Sequence, residues 1–118
     1  MMRFIPTVIH GVLDYLVGLM VIGLPFAVGI HGPALIALVA SGSFAIIYSL
    51  FTDYELGAIR LLRVRFHLAL DVVFGVAMLS IPTAFDIPPA IQWPVYVIGL
   101  VAIVLSTITK IRPTGTAS

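Results

Sequence analysis

The sequence repeats itself after 57 residues, and this duplication restricts the fold to two copies of one structural unit. Residues 10–18 and residues 67–75 carry His, Leu, Asp and Gly at the same offsets. The same shift aligns 12 identical residues in the 43 positions 10–52, including Pro25 with Pro82. Chance matches between apolar segments do not supply His, Asp, Gly and Pro in register. The chain is therefore interpreted as a tandem duplication, with repeat 1 at about residues 7–53 and repeat 2 at about residues 64–110.

The composition predicts that most of this chain is surrounded by lipid. Of the 118 residues, 61% are hydrophobic and only 9% are charged, whereas a soluble domain carries roughly 25% charged residues. The length predicts a single membrane domain over residues 1–118. The chain has no cysteine, which excludes disulfides and thiolate metal sites. Its formal charge of +1 argues against a nucleic-acid partner.

Four segments are predicted to cross the bilayer as helices, since a span needs about 20 helical residues. The third segment has only 14 residues between Asp71 and Asp86, which is too few. That helix must therefore begin near Phe66 and carry Asp71 into the membrane. The predicted spans run from about Thr7 to Val28, from Pro33 to about Thr52, from near Phe66 to the region of Pro82, and from about Pro94 to Thr109.

The basic residues predict the orientation of these spans. In a four-span arrangement every Lys and Arg falls on one side: Arg3, Arg60, Arg63, Arg65, Lys110 and Arg112. By the positive-inside rule both termini are then cytoplasmic. Tyr48 and Tyr54 are expected at the inner membrane boundary, and Trp93 and Tyr96 at the outer one. The predicted fold is an all-α membrane protein of the bacterial inner membrane, with four transmembrane helices as two tandem helical hairpins.

The duplicated His-x3-Asp motif is the candidate site. Residues four apart share one helix face, so His10 lies beside Asp14 and His67 beside Asp71. An ionisable side chain at membrane depth usually faces the helix bundle and has a partner there. We expect the two pairs to gather near the bundle axis, as a polar intramembrane site in the cytoplasmic half. The expected partners of each Asp are its own His, the other repeat's pair, or the arginines near the second pair.

Small residues predict where the helices pack, because close backbone approach drives helix association in lipid. Gly18 and Gly75 continue the His-Asp face of the odd-numbered helices. On the even-numbered helices the corresponding stripe is formed by Gly42, Ala45 and Ser49 in repeat 1, and by Gly99, Ala102 and Ser106 in repeat 2. We expect these stripes to face the interior.

Three functions remain open for the His-Asp pairs. They can fix helix packing in a structural or interaction protein, which acts as an oligomeric or accessory subunit. They can serve proton- or ion-linked transport or sensing, because His titrates near physiological pH. They can also bind a transition metal or haem. No nucleophile with a base, phosphate loop or dinucleotide fingerprint is present, so the sequence predicts neither an enzyme nor a cofactor. The expected partners are the lipid bilayer and either a second copy or another membrane protein.

Three segments resemble the SPW-repeat family of small bacterial integral membrane proteins. They are residues 2–7, residues 10–15 and residues 52–57, which read MRFIPT, HGVLDY and TDYELG. In that family each repeat is a pair of helices with a Ser-Pro-Trp signature near the outer end of the first helix. Here the matching positions read Leu-Pro-Phe at 24–26 and Ile-Pro-Thr at 81–83, so only the prolines are retained. The resemblance implies a small multi-span inner-membrane protein and assigns no activity.

Overall fold

Each repeat folds as a pair of α-helices, joined by a short turn in repeat 1 and by a longer loop, residues 85–92, in repeat 2. The computed structural model describes residues 2–111. The helices are α1 (Thr7–Val28), α2 (Pro33–Leu50), α3 (Val64–Ala84) and α4 (Trp93–Ile108), with a short 3-10 helix at Pro89–Ile91 before α4. The prediction of an all-helical chain is confirmed. Helices α1, α2 and α3 are long and apolar enough to cross a membrane, whereas α4 is apolar but has only 16 residues.

Proline places the ends of these helices in both repeats. Helix α1 begins directly after Pro6 and α2 begins at Pro33, where the missing N–H has no intrahelical partner to lose. Pro25 and Pro82 lie in the last turns of α1 and α3, which end three and two residues later. The sequence placed the start of α3 near Phe66, and the helix in fact begins one half-turn earlier, at Val64.

The connections between the two helices of each repeat begin in the same way. Gly29 and Asp86 occupy the same place in the two repeats, and both have positive φ, 79° and 53° respectively. Asp is one of the few residues besides Gly that tolerate this conformation. The next N–H group, that of Ile30 or of Ile87, then donates to the carbonyl oxygen of the helix proline at 2.8 and 3.0 Å. The duplication is therefore preserved in backbone geometry even where the residue types differ.

Within each hairpin the helices approach closely at paired glycines. A Cβ atom at Gly42 would lie 2.7 Å from the carbonyl oxygen of Gly18, and one at Gly99 would lie 2.8 Å from that of Gly75. The corresponding pair of glycines therefore forms a close contact between the two helices in both repeats. Helix α2 packs against α3, which places the two hairpins side by side.

The segment before the first helix of each repeat pairs with the segment after the second helix of the other repeat. Ile5, before α1, pairs with Thr109 after α4, while Leu62, before α3, pairs with Thr52 after α2. The 57-residue shift relates Ile5 to Leu62 and Thr52 to Thr109, so the two parallel bridges are equivalent. Because the first bridge joins the two repeats, it holds the start of one hairpin against the end of the other.

The connection between the repeats folds back over the start of α1. Thr7 Oγ1 donates a 2.6 Å hydrogen bond to Glu55 Oε1, and the Tyr15 hydroxyl donates a 2.7 Å bond to the carbonyl oxygen of Leu56. Gly11 lies against the Leu56 side chain, which a Cβ atom would meet at 2.9 Å. The equivalent segment of repeat 2 begins at Lys110, and the predicted stop residues after Ile111, including Arg112, lie outside the described residues.

Adding a methyl group at the glycine contacts should destabilise both hairpins to a similar degree. We expect Gly42→Ala and Gly99→Ala each to lower the free energy of unfolding by about 1–3 kcal/mol, because the new Cβ meets backbone that cannot move aside cheaply. Gly23→Ala is the control, since nothing lies within 4 Å of its Cβ position. Unfolding in mixed micelles measures the difference. Equal stability of Gly23→Ala and Gly99→Ala would contradict the packing described here.

Candidate functional site

The two His-x3-Asp motifs meet at the inner end of the helices. His10 and Asp14 are on α1, and His67 and Asp71 are at the equivalent positions of α3. The histidine side chains are 3% and 1% exposed, and those of Asp14 and Asp71 are 11% and 7% exposed. The two odd-numbered helices therefore bring all four side chains into one interior cluster, which we call the His-Asp centre.

The shortest contacts of the His-Asp centre run between the repeats. His10 Nε2 lies 2.7 Å from Asp71 Oδ2 and 3.0 Å from Oδ1 of its own neighbour Asp14. His67 Nε2 lies 2.9 Å from Asp14 Oδ2 and 3.2 Å from Asp71 Oδ2. Each histidine is thus closer to the carboxylate of the other repeat than to that of its own helix. The centre joins the two hairpins instead of only bracing each helix.

Two threonines fix the orientation of the imidazole rings. Thr109 Oγ1 lies 2.7 Å from His10 Nδ1, and Thr52 Oγ1 lies 2.7 Å from His67 Nδ1. Each hydroxyl also donates to a carbonyl oxygen of its preceding helix, at 2.6 Å for Thr109 and 2.7 Å for Thr52. A hydroxyl has one hydrogen to donate, so in this arrangement each Nδ1–H donates to the threonine oxygen. Both Nε2 atoms are consequently turned towards the carboxylates.

Two tyrosines complete the hydrogen bonding of the carboxylates. The Tyr48 hydroxyl donates to Asp71 Oδ1, and the Tyr54 hydroxyl donates to Asp14 Oδ2 at 2.8 Å. Both tyrosines were expected at the inner membrane boundary; the structure shows in addition that they are buried in the protein, only 4% and 1% exposed. Burial and the Asp14 carboxylate raise the pKa of Tyr54, which lies in the connection between repeats. Its hydroxyl therefore keeps its proton and remains a donor.

His67 Nε2 is the one buried side-chain polar atom in the described residues that makes no directed hydrogen bond. Both carboxylates are within 3.2 Å of it, but proximity is a weaker criterion than direction, since hydrogen bonds weaken steeply as the angle at hydrogen closes. His10 Nε2, by contrast, forms a directed 2.7 Å bond with Asp71. The two equivalent nitrogens therefore have different surroundings.

A small cavity borders the His-Asp centre. It has a volume of about 20 Å³, enough for about one water molecule. Its lining includes the polar side chains of His10, Asp14, Asp71 and Tyr48, together with apolar residues of all four helices. Both carboxylates therefore border this space.

The remaining predicted residues lie around this centre. Gly18, Gly42, Gly75 and Gly99 form the helix contacts described above. Ser49 and Ser106 are buried, but each hydroxyl donates to a carbonyl oxygen of its own helix, those of Ala45 and Ile103. Of the partners considered for the two Asp residues, the structure brings in both histidines, whereas Arg63 and Arg65 are exposed. Arg3 donates to the carbonyl oxygens of Ser106 and Thr109, at 2.8 Å each.

The sequence reasoning missed Thr52, Thr109, Tyr48 and Tyr54 as members of the site. The threonines carried a signal, since they are an identical pair in the duplication at the ends of helices that face the motif. The tyrosines carried none, because repeat 2 has Leu105 and Ile111 at the equivalent positions.

Chemically, the assembled residues offer two imidazole nitrogens and two carboxylates to a proton or a metal cation. Comparison of the chain with family models, curated proteins and solved structures gives no match.

Replacing either of these buried threonines should destabilise the protein. We expect Thr52→Val and Thr109→Val each to lower the free energy of unfolding by about 1–3 kcal/mol, since a buried imidazole N–H loses its acceptor. Thr83→Val is the matched control, because the Thr83 hydroxyl also bonds a carbonyl of its own helix but is exposed. Unfolding in mixed micelles compares the three. If Thr83→Val were as damaging as Thr52→Val, the imidazole contact would not be the cause.

Proposed function

We propose that the protein is a four-span bacterial inner-membrane protein with both termini in the cytoplasm, and that its role is structural or interactive. In this proposal the His-Asp centre locks two repeated hairpins into one unit. The unit presents its apolar exterior to lipid and to a second copy or another membrane protein. The observation that carries the role is the pairing of each histidine with the carboxylate of the other repeat, at 2.7 and 2.9 Å.

The distribution of charge supports four spans. The turn at residues 29–32 and the loop at residues 85–92 hold no Lys or Arg, whereas the opposite end holds Arg3, Arg60, Arg63, Arg65 and Lys110. At 1.5 Å per residue, the 16 residues of α4 extend about 24 Å. A span somewhat shorter than the hydrocarbon core is accommodated by local thinning or by flanking residues. The same basic residues favour a cytoplasmic location for both termini.

The outward side chains support an environment of lipid and membrane protein. Large apolar residues are exposed along all four helices, among them Leu19, Phe44, Val73 and Leu100, each at least 51% exposed. In water such a surface would be unfavourable, whereas in acyl chains it is the expected exterior. The polar side chains of the His-Asp centre contact one another and the two tyrosine hydroxyls inside the protein. The resemblance to SPW-repeat proteins is consistent with this proposal.

Cysteine labelling tests the topology, since the natural chain has no cysteine. We expect His31→Cys and Ala90→Cys to react with a membrane-impermeant maleimide in intact spheroplasts. Ile59→Cys, exposed in the connection between the repeats, should react only after the membrane is opened. This result requires α2 and α3 each to cross the membrane. The same inside-only reaction at Met2→Cys and Lys110→Cys, both exposed, requires α1 and α4 to cross as well. Opposite labelling of His31→Cys and Ala90→Cys would contradict four spans.

Substitution of the two carboxylates tests the structural role. With a chelator present, we expect the double variant Asp14→Asn/Asp71→Asn to stay within about 1 kcal/mol of the wild type, because amides can donate to Nε2 and accept from tyrosine. Asp71→Ala should lose about 3–5 kcal/mol, since it leaves buried partners unpaired. The control is Asp53→Ala, a partly exposed acidic residue at the same end. Unchanged stability of Asp71→Ala would overturn the role. Loss of a pH-dependent conformation in the folded double variant would instead favour proton-linked sensing.

A further inference from the structure

We infer that the His-Asp centre binds one divalent first-row transition-metal ion, with Zn²⁺ as the best match, through the Nε2 atoms of His10 and His67 and one carboxylate oxygen each from Asp14 and Asp71. The inference rests on the proposed function, because it makes the metal the structural link between the hairpins. These four residues can each offer one ligand atom, and all four atoms lie within 4.8 Å of one another.

The threonines set the histidines up as metal ligands. A histidine that binds a metal through one nitrogen usually donates its other N–H to a fixed acceptor, which sets the tautomer and aims the ring. Here that acceptor is Thr109 for His10 and Thr52 for His67, both at 2.7 Å. With hydrogen on Nδ1, the Nε2 lone pair of a neutral ring points into the centre. Two lone pairs then face two carboxylates, and this arrangement requires a positive charge between them.

The surroundings of His67 favour a metal ion over protons as that charge. A proton on His67 Nε2 would point along the N–H direction, and no carboxylate oxygen accepts it there. The atom is nevertheless within 3.2 Å of both Asp14 and Asp71, on a side chain that is 1% exposed. A ligand atom directs its lone pair at the metal and not at the neighbouring ligands. An ion shared by the four ligands therefore accounts for this nitrogen, whereas a second proton on the ring leaves it without an acceptor.

Ion binding requires the ligand atoms to move apart. Ligand bonds of about 2.0–2.2 Å in a tetrahedron separate the ligand atoms by roughly 3.3–3.6 Å. The observed nitrogen-to-oxygen separations are 2.7 to 3.2 Å, so the closest pair, His10 Nε2 and Asp71 Oδ2, must separate by about 0.6–0.9 Å and the widest pair by less. For Asp14 the two short contacts are made by different oxygens, Oδ1 to His10 and Oδ2 to His67, so its carboxylate must also turn to present one of them. The cavity of about 20 Å³ beside Asp14 and Asp71 provides the space. The tyrosine hydroxyls already hold the carboxylates from outside, as outer partners of metal ligands do.

Charge and ligand type define the class of ion. Two neutral imidazoles and two carboxylates carry a charge of −2, which one divalent cation neutralises, so that no net charge is left buried. Imidazole nitrogen selects against Mg²⁺ and Ca²⁺, which prefer oxygen ligands only. Four protein ligands with no open position are typical of structural Zn²⁺ sites.

Metal analysis of the intact chain tests the inference. The full-length protein is purified in detergent without a polyhistidine tag, stripped with a chelator, and incubated with ZnCl₂ before excess ion is removed. We expect about one Zn²⁺ per wild-type chain, and at least about a tenfold lower content for His67→Gln and for Asp14→Asn/Asp71→Asn. Co²⁺ in place of Zn²⁺ should give the visible absorption of a four-coordinate site. His31→Gln is the control, because His31 is exposed in an outer turn, and it should retain the ion.

Helix content and monodispersity are measured on every variant, so that metal loss is read only on folded protein. A folded wild-type chain that holds no Zn²⁺, or a His67→Gln variant that keeps it, overturns the metal site. The structural role is judged separately, from the stability of Asp71→Ala in chelator. If no Zn²⁺ is bound but Asp71→Ala is strongly destabilised, the metal site is overturned and the structural link between the hairpins is retained. Bound Zn²⁺ with an unaffected Asp71→Ala keeps the metal site and overturns the structural role proposed for the metal-free centre.

Discussion

Two carboxylates held at the depth of the helices are the constraint on which the rest of this structure depends. An unpaired charge among packed side chains is expensive, and the side chains of Asp14 and Asp71 are only 11% and 7% exposed. The structure meets this cost by pairing each carboxylate with histidines from both repeats and with one tyrosine hydroxyl. Neither hairpin can satisfy its own carboxylate in this way when it is alone. The polar centre therefore makes two units that are similar in backbone depend on each other.

The duplication is retained in the backbone contacts of the two repeats but not in the tyrosines that bind the carboxylates of the His-Asp centre. The glycine contacts, the positive-φ turns and the two inner bridges recur after 57 residues. The tyrosines do not, because Tyr48 and Tyr54 correspond to Leu105 and Ile111. Both tyrosine rings lie on the His67 side, with centroids 4.9 and 5.2 Å from that imidazole. This asymmetry gives the two equivalent histidines different surroundings, and it leaves Nε2 of His67, not of His10, without a directed partner.

Helical periodicity was enough to predict the helices and the meeting of the two motifs, because spacing alone places His and Asp four residues apart on one face. It was not enough for the outer contacts. Tyr54 lies in a connection whose path depends on contacts far apart in sequence, between Thr7 and Glu55 and between Gly11 and Leu56. No local pattern encodes such contacts. Tyr48 was expected at the membrane boundary because tyrosine is common there, and no local pattern indicated that its hydroxyl donates to Asp71.

The closure of the centre bears on what kind of protein this is. The connection between the repeats covers the centre at its inner end through Tyr54, which is 1% exposed, and the same segment is held to α1 by Thr7 and Tyr15. A catalytic metal keeps one coordination position open to water or substrate, whereas a structural metal is enclosed by protein ligands. Here two imidazoles and two carboxylates would fill four positions. Hydroxyl groups of threonine and tyrosine form hydrogen bonds to these same side chains. The cavity beside these side chains has a volume of about 20 Å³, enough for about one water molecule. Enclosure of this kind favours a permanent link between hairpins over a site that exchanges substrate.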